Sequence, residues 1–123
     1  MSWYSASAIF LFEYKEGEQD TYDILENVYL IEANSPEEAC LKADVYAKRD
    51  EGDDDGSLML NERPARLVYH GIRKLINVVN LNTLDDSPTD GAEVTFSKYR
   101  LKSKDELYKW INSEALTVFF YEE

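Results

Sequence analysis

The chain has 123 residues with 25 acidic and 13 basic side chains, which gives a formal net charge of −12. Its length is typical of one domain, and its 44% apolar and 13% aromatic content is too high for a disordered acidic chain. Its charge disfavours DNA, RNA and anionic membranes as direct partners, because phosphates repel it. No apolar run approaches the roughly 20 residues of a membrane helix. The composition therefore predicts a single folded domain over residues 1–123.

The first half of the chain predicts two strands and a helix. Residues 3–14 are apolar in both alternation sets, which favours a central strand. Residues 22–33 alternate after a short charged turn, so an antiparallel hairpin is expected. Ser35–Glu38 is a capping box with proline at the first helical position, which predicts a helix from residue 36 to about residue 49. Its apolar stripe comprises Ala39, Ala43, Tyr46 and Ala47.

The second half predicts two more strands and a second helix. Residues 67–79 form a long strand in which Gly71 indicates a bulge or bend, and residues 93–101 form a fourth strand. A second capping box over residues 103–106 begins a short helix. The residues of this helix expected to point inward are Leu107, Trp110 and Ile111. Residues 116–121 fit a fifth strand or a packed tail.

The resulting order, ββαββα with or without a final β, indicates the α+β class. We expect a mostly antiparallel sheet of four or five strands with two helices packed on it.

The number of cysteines and the first residues of the chain indicate the cellular compartment of the protein. Cys40 is the single cysteine, so no intrachain disulfide can form, which fits a reducing environment. Residues 1–12 are apolar but lack the basic segment that begins a signal peptide, so we interpret them as a strand. These features predict a cytoplasmic protein.

Residues 51–62 have the spacing of an EF-hand calcium loop. The residues in register are Asp53, Asp55, Gly56, Leu58 and Glu62. Two features argue against calcium: Glu51 is one methylene longer than the usual aspartate at the first position, and Pro64 interrupts the exit helix. We therefore interpret the segment as an acidic connection and expect neither a metal site nor another cofactor, while weak calcium binding stays open.

No set of residues predicts catalysis. His70 is the single histidine, and its alternation with Val68 and Ile72 predicts a partly buried strand residue. Cys40 lies inside the predicted helix without a basic neighbour that would activate its thiol. The sequence contains no phosphate-binding loop, HExxH or CxxC motif. We therefore expect a protein that is not an enzyme and has no catalytic residues.

Several segments together match a known pattern. They are Trp3–Ala6 with Phe12–Tyr14, Ile31–Ala33 with Ser35–Ala39, Tyr69–Arg73 with Leu75, and Asp90–Val94. They resemble a small bacterial family catalogued as domain of unknown function 4288, over roughly residues 3–99. That family brings no established activity, cofactor or catalytic residue, so the resemblance implies only a stand-alone bacterial cytoplasmic protein. The segment from Leu101 onward lies beyond it.

The charge is unevenly distributed, with 16 acidic and 4 basic side chains in residues 1–62 and nine of each in residues 63–123. An acidic surface speeds association with a basic partner. The first hypothesis is therefore a small acidic binding or inhibitor protein with a basic protein partner, such as the immunity protein of a bacterial toxin. The candidate contacts are Glu16, Glu18 and Asp20 in the hairpin turn and Asp50, Glu51, Asp53, Asp54 and Asp55 after the helix.

Other interpretations stay open at this point. The acidic loops fit a role in solubility alone equally well. A small-molecule-binding or enzymatic domain would place a pocket between helix and sheet, lined by Tyr69, His70 and Arg73. An oligomeric module would pair through an exposed sheet edge. The sequence leaves the partner's identity and the oligomeric state undecided.

Overall fold

A computed structural model describes residues 1–52, 56–79 and 87–112 and the backbone of residues 119–120. Its elements are β1 (Ser2–Tyr14), β2 (Ile24–Ala33), α1 (Pro36–Arg49), β3 (Met59–Leu60), β4 (Arg63–Val78), β5 (Tyr99–Arg100), α2 (Lys104–Ile111) and β6 (Phe119–Phe120). This arrangement confirms the α+β class, and the short β3 is an addition to the predicted order.

The main sheet is antiparallel and has the strand order β2-β1-β4-β3. β1 is therefore a central strand, as its two apolar alternation sets predict. β5 and β6 form a separate antiparallel pair. The free edge of β2 and the short β3 thus bound the main sheet within the described residues.

The helix face of the sheet, which we define by the even-numbered residues of β1, packs against α1. Phe10 is fully buried there, together with the alanines of the helix. Ala39, Ala43 and Ala47 have no exposed surface, because their small side chains let the helix backbone approach the sheet closely. The helix begins as predicted: the Ser35 hydroxyl accepts a hydrogen bond from the backbone N–H of Glu38 at 3.1 Å.

The opposite side, which we call the second face, carries the odd-numbered residues of β1. Ser5 and Ser7 are buried there between larger neighbours on β2 and β4. Lys74 extends from this face and donates a hydrogen bond to the backbone carbonyl of Phe96. The predicted strand over residues 93–101 is wrong apart from β5, since residues 92–98 have no regular structure.

The register of β4 shifts twice against β1, on either side of Gly71. Gly71 has φ +145°, which confirms the bulge predicted from its position. Between the shifts, Ile72 pairs with Ala8 and so lies on the helix face, while His70 is exposed. The prediction that Val68, His70 and Ile72 share one half-buried face is therefore wrong, because an extra residue inverts the alternation.

The second helix differs from its predicted packing. Ser103 caps it as expected, by accepting from the backbone N–H of Glu106 at 3.2 Å. Leu107, Trp110 and Ile111 were expected inward but are 42%, 41% and 64% exposed, so that prediction is wrong.

Neither helix of the described chain combines the length and the apolar character that crossing a bilayer requires.

Candidate protein-binding surface

The hairpin between β1 and β2, residues 15–23, forms a turn that we call the acidic turn. Arg63, the first residue of β4, holds its backbone from across the sheet end. The guanidinium Nη2 donates to the backbone carbonyl of Glu16 at 2.6 Å, and Nη1 donates to that of Glu18 at 3.2 Å. The same guanidinium lies 3.5 Å from the ring centroid of Tyr14. Its position is thereby fixed by stacking as well as by hydrogen bonds.

A glycine makes this close approach feasible. Gly17 has φ +85°, and a Cβ atom at this position would lie 2.6 Å from the Arg63 Nη2 atom. A residue with a side chain would therefore both strain the backbone and collide with the guanidinium.

A glutamine holds the turn from inside. The Gln19 side-chain amide donates to the backbone carbonyls of Phe12 at 2.8 Å and Thr21 at 3.1 Å. Its carbonyl oxygen accepts from the backbone N–H of Tyr14 at 3.2 Å. Together with Arg63, this amide fixes the conformation of the turn without using any carboxylate.

The carboxylates of the acidic turn face solvent. Glu16, Glu18 and Asp20 are exposed, and the ion pairs formed between described residues do not include them. Arg63 donates to backbone oxygens in this turn and not to the carboxylates. The negative charges of the carboxylates therefore remain available to a partner. Carboxylates on a preorganised backbone bind at a lower entropic cost than those on a mobile loop.

The carboxylates after α1 are placed differently. Tyr29 donates its hydroxyl to Asp50 at 2.6 Å, and Arg49 lies 3.5 Å from the same carboxylate. This hydrogen bond, with the nearby arginine, lowers the pKa of Asp50 below its ordinary value. Glu51 accepts from the backbone N–H of Tyr69 at 3.0 Å. Both side chains thus support the fold, and their assignment to partner contacts stays a prediction.

Residues 53–55, the other three predicted contacts, lie outside the described residues. The neighbouring Gly52 exchanges two backbone hydrogen bonds with Leu67, at 3.2 and 3.0 Å. Leu67 in turn pairs with Phe12 near the end of β1. The segment that leaves α1 therefore reaches the end of the sheet where the acidic turn lies. We call the acidic turn together with residues 50–52 the acidic end.

The calcium-loop pattern lacks its structural context. After Gly56 the chain enters β3, a two-residue turn and β4, so a strand occupies the place of the exit helix. Asp53 and Asp55 lie outside the described residues. Among the residues that the structure does describe, no three His, Cys, Asp or Glu side chains cluster as metal ligands.

Tyr69 lies on the helix face. Its hydroxyl donates to Asp44 of α1, and its ring packs on Phe10 with centroids 5.7 Å apart. Burial and the hydrogen bond to Asp44 raise the pKa of Tyr69 well above its ordinary value of 10.0. The contact joins α1 to β4 across the buried residues of β1.

His70 and Arg73 contact other residues. His70 Nε2 lies 3.6 Å from a carboxylate oxygen of Glu13, and Arg73 binds both carboxylate oxygens of Glu26 at 2.9 and 3.0 Å. These contacts lie on the second face, across the sheet from the Tyr69 hydroxyl. The structure therefore does not bring Tyr69, His70 and Arg73 into one pocket.

An open cavity of about 340 Å³ lies at the start of α2. Its lining residues are Tyr99, Leu101, Lys102, Ser103, Lys104 and Leu107. None of the residues predicted for a ligand pocket belongs to it.

The residues that shape the acidic turn carry no local sequence signal. Arg63 and Gln19 stand in no motif, and Arg63 is 47 residues from Glu16. The turn itself offers one clue: the backbone carbonyl groups of the residues on either side of Gly17 need hydrogen-bond donors. The donors can be identified only once β4 is paired beside β1.

A family model described as domain of unknown function (DUF4288) matches residues 3–96. That range contains the main sheet, α1 and the acidic end, whereas β5, α2 and β6 follow it. No curated protein and no solved structure matches the chain.

Proposed function

For this chain, which belongs to the family described as domain of unknown function DUF4288, we propose a function in protein binding: its acidic end covers a basic surface of a partner protein. One observation supports this proposal above all. Arg63 holds the acidic turn through the backbone carbonyls of Glu16 and Glu18, while the carboxylates of both residues face solvent. The turn thus presents negative charge on a fixed backbone.

Cys40 is the candidate nucleophile and His70 the candidate base, and their positions favour binding over catalysis. Cys40 is half-buried in α1, which packs on the helix face, whereas His70 contacts Glu13 on the second face. A histidine that activates a thiol must lie within hydrogen-bond distance of it. The sheet separates these two side chains, so they do not form such a pair.

In its finer form, the proposal is that the chain is the immunity protein of a bacterial toxin. A nuclease holds nucleic-acid phosphates with Lys and Arg side chains, and an acidic turn is complementary to such a site. Electrostatic attraction of this kind speeds association and weakens as salt screens it. The proposed complex would therefore form fast and lose affinity at high ionic strength.

The experiment uses the tagged 123-residue chain as bait in a lysate of the source organism, with captured proteins quantified by mass spectrometry. The test variant combines Glu16→Gln, Glu18→Gln and Asp20→Asn. A matched control combines Glu37→Gln, Asp90→Asn and Glu93→Gln, which removes the same charge from exposed residues elsewhere. The proposal expects a basic protein that the wild type and the control capture and the test variant loses.

Equal capture by the test variant and the control would refute the acidic turn as the contact. For the toxin form, the captured protein is expressed alone and together with the chain. Growth that stops with the captured protein alone and resumes on co-expression supports immunity. A captured protein that does not affect growth contradicts immunity and leaves the binding function intact.

A further inference from the structure

The outer edge of β2 carries backbone groups that have no hydrogen-bond partner among the described residues. Asp23, which directly precedes β2, accepts a hydrogen bond from the N–H of Phe12 at 3.1 Å; continued along the antiparallel register, this pattern directs the N–H and C=O groups of the odd-numbered residues of β2 to β1. In an antiparallel pair the intervening residues direct their N–H and C=O groups away from the partner. The even-numbered residues of β2 therefore face the free edge.

Lys42 limits the free part of this edge. Its ammonium donates to the backbone carbonyl of Glu32 at 2.7 Å and so occupies the end of the strand nearest α1. The stretch from Ile24 to Leu30 remains, and no described residue donates to or accepts from its outward backbone groups. A bare edge of this length is a template for another strand.

The side chains along this stretch are largely apolar. Ile24, Val28 and Leu30 are 55%, 46% and 47% exposed on the second face. Glu26 is the one charged residue among the four even positions, and Arg73 binds its carboxylate through two hydrogen bonds. The edge thus joins unpaired backbone groups to exposed apolar side chains, with its single charge already paired.

We propose that this edge pairs with the same edge of a second copy, antiparallel about a two-fold axis at Asn27. Ile24 then lies opposite Leu30 of the second copy, and Glu26 lies opposite Val28. The free stretch is symmetric about Asn27, so this register satisfies the outward groups of all four even-numbered residues. The two main sheets join into one continuous sheet, in an isologous interface.

The charges favour a second copy over a basic segment of another protein. Such a segment would need carboxylates along the edge, and Glu26 already binds Arg73. In the dimer, the apolar side chain of Ile24 in one copy instead lies opposite the apolar side chain of Leu30 in the other. Each copy has a net charge of −12, so repulsion opposes the dimer and salt strengthens it. Because one strand pair buries little area, the dimer is weak.

Sedimentation equilibrium of the 123-residue chain tests the pairing, from about 10 μM to about 1 mM and at low and high salt. The mass should rise from 14.3 kDa towards twice that value, at lower protein concentration when salt is high. Val28→Pro removes an N–H that faces the free edge and no hydrogen bond to β1, so it should stay monomeric. Val28→Ala keeps the N–H and should still dimerise.

A disulfide test keeps the proposal falsifiable if Val28→Pro unfolds. Asn27→Cys in a Cys40→Ala background places two thiols opposite each other at the axis, in a non-hydrogen-bonded pair within disulfide reach. Leu30→Cys in the same background places them far apart. Fast cross-linking at residue 27 alone supports the pairing. A wild type that stays monomeric at 1 mM, a Val28→Pro dimer as strong as the wild type, or equal cross-linking at both positions would overturn it.

Discussion

Arg63 donates to the backbone carbonyl of Glu16 at 2.6 Å and leaves the Glu16 carboxylate exposed to solvent. A guanidinium paired with this carboxylate would neutralise one of the three exposed negative charges of the turn. Because it binds the backbone instead, it stabilises a cluster of acidic side chains without discharging them. The fold and the proposed function therefore depend on the same arginine.

Replacing this arginine should destabilise the protein. Arg63→Ala removes hydrogen bonds to two carbonyl groups and a contact with Tyr14, so we expect a loss of about 1–3 kcal/mol in the free energy of unfolding. Arg66→Ala is the control, since Arg66 is exposed and lies 3.8 Å from Glu13; its expected loss is below about 1 kcal/mol. Urea denaturation measures both, and equal losses would contradict the special role of Arg63.

The contact between Tyr69 and Asp44 should make stability sensitive to alkaline pH. The pKa of Tyr69 is raised in the folded state, so the folded protein keeps the phenol neutral where the unfolded chain ionises. The resulting stabilisation is present below pH 10, the ordinary pKa, and is lost as the pH rises above it. Tyr69→Phe should lower stability at pH 8 by about 1–3 kcal/mol and reduce its dependence on pH above 10.

Urea denaturation at a series of pH values measures this effect. Tyr22→Phe is the matched control, because the Tyr22 side chain is 64% exposed. If Tyr69→Phe and Tyr22→Phe change the pH dependence equally, the hydrogen bond to Asp44 does not contribute as proposed.

The turn between β3 and β4 holds two residues in the left-handed region. Asn61 has φ +52° and Glu62 has φ +64°, as a two-residue hairpin loop requires. Asparagine tolerates this conformation better than glutamate does. Glu62→Gly should therefore raise the free energy of unfolding by about 1 kcal/mol, as measured by thermal or urea denaturation. Glu62→Ala keeps a Cβ atom and should bring no such gain; equal effects would show that strain is not the cause.

The sequence predicts α1 closely because the signals for it are local. Ser35, Pro36 and Glu38 lie within four residues of one another, and their capping geometry does not depend on the rest of the fold. The central position of β1 is also readable, since both of its alternation sets are apolar. Local chemistry therefore specifies these two elements well.

The errors arise where distant parts of the chain decide the structure. β4 begins at Arg63, four residues before the strand predicted from residue 67, because Leu60 of the short β3 pairs with Arg63. The bulges around Gly71 invert a face that simple alternation assigns to Val68, His70 and Ile72. In α2 the amphipathic pattern is real, yet a pattern alone does not say whether another element covers it.

The predicted contact residues also fall into two groups: some are located by local sequence signals, and others depend on the packing of distant elements. The sequence locates Glu16, Glu18 and Asp20 on an exposed turn, and the structure places them there. The sequence does not distinguish these exposed residues from Asp50 and Glu51. In the structure, Asp50 accepts a hydrogen bond from Tyr29, and Glu51 accepts one from the backbone of Tyr69. That distinction requires the packing of α1 and β4, which brings together residues about 20 positions apart.

The most direct test of the proposed function is isothermal titration calorimetry of the 123-residue chain with its captured basic partner, at about 50 mM and about 500 mM salt. We predict that the combined Glu16→Gln, Glu18→Gln and Asp20→Asn variant loses at least about tenfold in affinity at low salt, or about 1.4 kcal/mol. The control with Glu37, Asp90 and Glu93 neutralised should keep the wild-type affinity and its salt dependence. Wild-type affinity in the acidic-turn variant, unchanged by salt, would contradict the account.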